Sequence, residues 1–158
     1  MKKTIVSHIF KGLLLVFGLL AVILITQIPN IASGFAADSP TIASLQYPLL
    51  TYLELLLVLF VIGILVLIKL LVLFDRSQVF SNTFVQNLQI LEKLCLFAST
   101  SMVIIFSMVH FFFVPLGLPG FYIFITFLLI AIVGVAIHLI KLVVIDAINF
   151  KDEVDFTV

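Results

Sequence analysis

Four long apolar blocks, near residues 10–28, 48–74, 94–114 and 121–145, alternate with short polar connectors. Each is long enough to cross a hydrocarbon core of about 30 Å, which takes roughly 20 helical residues. The pattern predicts an all-α integral membrane protein with four transmembrane helices in a single membrane domain over residues 1–158. No stretch is left for a separate soluble domain. The longest polar interruption is Asp75–Lys93, DRSQVFSNTFVQNLQILEK, and it divides the chain into two helical pairs.

Within that interruption the pattern turns helical again. Ser81 is placed to cap a helix N-terminus, with Phe80 before it and Val85 at the fourth helical position as a hydrophobic staple. Phe84, Leu88 and Leu91 recur at i, i+4 and i+7, while Asn82, Gln86, Asn87, Gln89, Glu92 and Lys93 fill much of the other side. That spacing predicts a short amphipathic helix of about three turns between spans two and three. Its apolar positions, Phe80, Phe84, Val85, Leu88 and Leu91, are the candidate docking residues for a soluble partner.

The other connectors are read from their breakers. Pro29 and Asn30 are expected to end the first span. The Ser-, Ala- and Gly-rich stretch to Tyr47 reads as an outer loop, with a short surface helix as the alternative. Tyr47-Pro48 opens the second span, since proline suits a first helical turn. Pro115-Leu116-Gly117-Leu118-Pro119-Gly120 predicts a tight turn between antiparallel spans three and four. The acidic tail Lys151–Val158 is expected to be a solvated, partly disordered end.

Composition agrees with the pattern: 64% of residues are hydrophobic and 10% charged, a balance that cannot cover its apolar surface in water. Net charge is zero, so the placement of charges is the informative feature. Lys2, Lys3, Lys11, Lys69, Arg76, Lys93, Lys141 and Lys151 all lie at one set of span ends, and none falls in 29–47 or 114–121. By the positive-inside rule both termini and the 75–93 connector are expected to be cytoplasmic. The basic start and apolar run also resemble a signal peptide, but the run is long for one and is expected to stay as an anchor. The single cysteine, Cys95, excludes an intrachain disulfide and a CxxC pair.

Candidate chemistry is sparse. Glu54 sits inside the second span, where an ionised carboxylate is costly unless paired or hydrated. Tyr47, Thr51 and Glu54 share a helix face, and by depth they fall level with Ser107, His110, Tyr122 and Thr126. Two readings of this outer polar group stay open. It is a ligand, proton or metal site opening outward, with a Glu54–His110 contact, or a polar lock that fixes helix packing. Gly134, His138 and Lys141 share a face of the fourth span and, with Lys69 and Ser99–Ser101, make a second and weaker group. Hydroxyls on the third span are expected to aid close helix approach and to bond across it. No HExxH, GxSxG or thiol pair is present, so an enzyme, a cofactor and a dedicated metal centre are not expected. The chain has no basic patch for nucleic acid.

The run VFSNTFVQNLQILEKL, a Phe-Ser step leading into an amphipathic helix and the third span, resembles a widespread family of small four-span bacterial membrane proteins, mostly from Gram-positive species. The resemblance covers about 45–147. It implies a multi-pass protein of the bacterial plasma membrane. It also implies a partner, a very small cytoplasmic helix-turn-helix regulator encoded beside it. The leading expectation is therefore a non-enzymatic sensory or regulatory partner of that DNA-binding protein. The alternatives are an immunity or resistance protein against a membrane-active peptide, and a small transporter or channel subunit.

Overall fold

The computed structural model describes residues 2–38, 46–112 and 118–155. It contains four helices in chain order: α1 Lys2–Asp38, α2 Gln46–Asp75, α3 Asn82–Phe112 and α4 Leu118–Asp155. All four hold a stretch long and apolar enough to cross a membrane: Ile5–Asn30, Leu50–Asp75, Asn82–Ser107 and Ile123–Lys151. The chain is an all-helical, multi-pass membrane protein. Its surface agrees with that reading. Leu13, Phe17 and Leu24 on α1, Leu53, Phe60 and Leu65 on α2, Leu96 and Ile104 on α3, and Leu128, Ile132, Leu139 and Val143 on α4 all point outward. Such a surface is stable only where the solvent is itself apolar.

Three boundaries differ from the expectations. First, α1 does not stop at Pro29 but carries it internally and runs on to Asp38. A proline removes one bond, the one from its own nitrogen to the carbonyl four residues back, and the turns on either side keep theirs. The candidate span still ends at Asn30, so proline marks the end of the apolar stretch and not of the helix. Second, no separate amphipathic helix stands between spans two and three. Residues 82–93 are the first turns of α3 and lie within the third candidate span, Asn82–Ser107. The sequence Ile90-Leu91-Glu92-Lys93-Leu94 contains good helix formers and no breaker, so nothing ends the helix where the polarity changes. Third, α4 continues to Asp155, so most of the acidic tail is helical as far as it is described.

The polar connector is thereby reduced to 76–81, and its backbone is fully specified. Arg76 N–H donates to Val72 O at 3.1 Å, Ser77 N–H to Phe74 O at 3.0 Å and Gln78 N–H to Leu73 O at 2.9 Å. The last two are the paired bonds of a Schellman ending. They place Ser77 where glycine is usual, and its φ is 58°. The next helix starts at once. Ser81 Oγ accepts from Phe84 N–H at 3.2 Å and donates to Gln78 O at 2.7 Å, and Ser81 O accepts from Phe84 and Val85 N–H. Ser81 is the N-cap of α3, as its position implied, while Phe80 beside it stays exposed.

The chain divides into two compact units, Met1–Leu71 and Val72–Val158. In the first, Gly18 on α1 lies against Ile64 of α2: a Cβ there would meet Ile64 Cγ2 at 3.7 Å. Ala21 and Ile28, one and three turns further along α1, are buried, as is Ile64. In the second, α3 and α4 make the most extensive helix contact among the described residues, and Gly134 of α4 lies close against Cys95 of α3.

The connector generates a stability prediction. Replacing Ser77 by glycine relieves a left-handed backbone, and thermal unfolding in detergent is expected to show a gain of about 0.5–1 kcal/mol. Ser81→Ala removes the cap and is expected to cost about 1 kcal/mol in the same assay.

Candidate functional site

The polar side chains expected near the outer surface fall in both units. Tyr47, Thr51 and Glu54 lie on α2, in the first. Tyr47 and Thr51 are exposed and Glu54 is half-buried, and the Thr51 hydroxyl donates to its own helix at Tyr47 O, 3.0 Å away. Ser107, His110 and Thr126 belong to the second unit. There the imidazole of His110 stacks on Phe106, one turn back, with ring centroids 5.8 Å apart and planes within 2°. Tyr122 lies on α4, but its side chain is outside the described residues. Two of the hydroxyls expected to bond between helices donate to their own backbone. Ser99 Oγ donates to Cys95 O at 2.8 Å and Ser101 Oγ to Ala98 O at 2.9 Å, the usual way to satisfy a hydroxyl without water.

The constellation with cross-helix geometry lies elsewhere. Glu92 on α3 reaches two residues of α4: its Oε1 is 2.7 Å from His138 Nδ1 and its Oε2 is 2.5 Å from Lys141 Nζ. His138 and Lys141 are three residues apart and so share a helix face. One carboxylate can therefore accept from both. Gly134, one turn before His138 on that face, lets the two backbones close. A Cβ added at Gly134 would stand 3.2 Å from Cys95 Cβ, tighter than ordinary van der Waals contact. The clasp is partly dry. The Lys141 side chain is 14% exposed, Glu92 24% and His138 47%.

Its height along the helices is informative. Leu94–Phe112 on α3 and 118–137 on α4 carry no Asp, Glu, Lys or Arg. Glu92 and His138 each stand about 30 Å along their helices from Phe112 and Leu118, at 1.5 Å per residue. That is the thickness of a hydrocarbon core. The clasp thus closes the charge-free stretch at the end away from the 113–117 connection.

Glu92 was the residue that sequence reasoning passed over, since it read as one of many polar positions on an amphipathic face. A signal was there. Glu92 and His138 are equally far from Pro115 along the chain, so an antiparallel pairing about the expected turn sets them level, although residues 113–117 of that turn lie outside the described residues. Lys69, grouped with His138 by depth, is exposed on α2 in the first unit.

The expected docking residues are placed differently from one another. Phe84, Val85, Leu88 and Leu91 are buried, as is Asn87 between them, whose Nδ2 donates to Thr83 O at 2.6 Å. Phe80 is 59% exposed. Of the five, Phe80 is thus the one at the surface, and the other four are covered by the chain itself. Among the described residues no group of three His, Cys, Asp or Glu side chains comes together as a metal site.

The close approach of α3 and α4 is open to a chemical test. With Gly134→Cys, mild oxidation is expected to join the new thiol to Cys95, because the Cβ separation is close to the roughly 3.5–4.5 Å of disulfides. An intrachain cross-link on a non-reducing gel checks it, and cross-linking only between chains would contradict the pairing. Gly134→Leu is expected to force the helices apart at a cost of about 1–3 kcal/mol.

Residues 30–158 match the model of a family described as protein of unknown function (DUF2975), and the chain belongs to that family. No curated protein and no solved structure matches it.

Proposed function

From this membership and the geometry of α3 and α4, we propose that the protein is a non-enzymatic, multi-pass protein of the bacterial plasma membrane that regulates a small cytoplasmic DNA-binding protein. The observation that carries the reading is the length of the second helical pair. α3 and α4 have 31 and 38 residues, whereas about 20 suffice to cross the bilayer. Beyond the Glu92 clasp, residues 82–91 and 142–155 continue as helix. All eight basic residues favour that side as the cytoplasmic one, which also places both termini there. A helical extension held to the spans by an ion-paired clasp is a surface through which a soluble regulator reads the packing of the membrane helices. The resemblance to four-span proteins encoded beside a helix-turn-helix regulator supplies the class of partner.

Phe80 is the leading contact, with exposed Ile90 further along α3. The buried set Phe84, Val85, Leu88 and Leu91 holds the extension together. In a pull-down of the neighbouring DNA-binding protein by the full-length chain in detergent, Phe80→Asp with Ile90→Asp is expected to lower recovery about tenfold or more, the scale of losing an anchor side chain. Its melting temperature is expected to stay near that of the wild type. Leu88→Asp is expected to lose recovery by unfolding. Undiminished recovery by the Phe80 and Ile90 variant would sink the docking role.

A further inference from the structure

We draw no further inference here: the strongest candidate, the exposed polar stripe of Asn82, Gln86, Gln89 and Lys93 along the first turns of α3, carries nothing beyond the docking surface already described, because nothing in the structure shows what covers it.

Discussion

A hydrocarbon layer offers no hydrogen bonds, and that constraint shapes most of this molecule. A backbone that crosses it must satisfy its own N–H and C=O groups, which for a chain with this periodicity means helix. The same demand falls on side chains. Thr26, Thr51, Ser99 and Ser101 each donate to a carbonyl three or four residues back on their own helix. These hydroxyls do not link the helices through those bonds. In the second unit the helices meet at a close approach at Gly134 and through the side chains of Glu92, His138 and Lys141, consistent with small residues acting as the contact points of membrane helices.

Charge is confined by the same logic. Removing a carboxylate and an ammonium from water is costly, and the attraction between them does not by itself repay the cost. The clasp sits at the limit of the charge-free stretch, and each of its three polar groups has a partner there. Glu54 is a half-buried carboxylate within the second candidate span, where an ionised group is costly unless it is paired or hydrated.

The sequence revealed the apolar spans and the N-cap at Ser81 because each depends on residues close in the chain. The continuation of α1 through Pro29 was hidden, since proline weakens a helix by one bond but does not decide whether its neighbours stop. The fusion of the amphipathic turns with α3 was hidden for a related reason. A change of polarity at Glu92-Lys93 looks like a boundary in composition, yet helix propensity does not change there. The burial of Phe84, Leu88 and Leu91 was the harder case. Periodicity shows that these residues share a face, but not whether that face is covered by the same chain or by another. Ser77 gave no signal at all, because the chain lacks the glycine that usually announces a Schellman ending.

What the clasp selects is register as much as stability. Slide α4 by four residues in either direction and the places of His138 and Lys141 are taken by Gly134 and Ile137 or by Leu142 and Ile145, none of which carries a group to answer a carboxylate. The same slide takes Gly134 away from Cys95 and sets a larger side chain against α3, so the packing contact and the polar contact fail together. Two weak constraints that agree on one alignment specify it better than either alone, which is the best-attested use of a polar group placed among apolar helices.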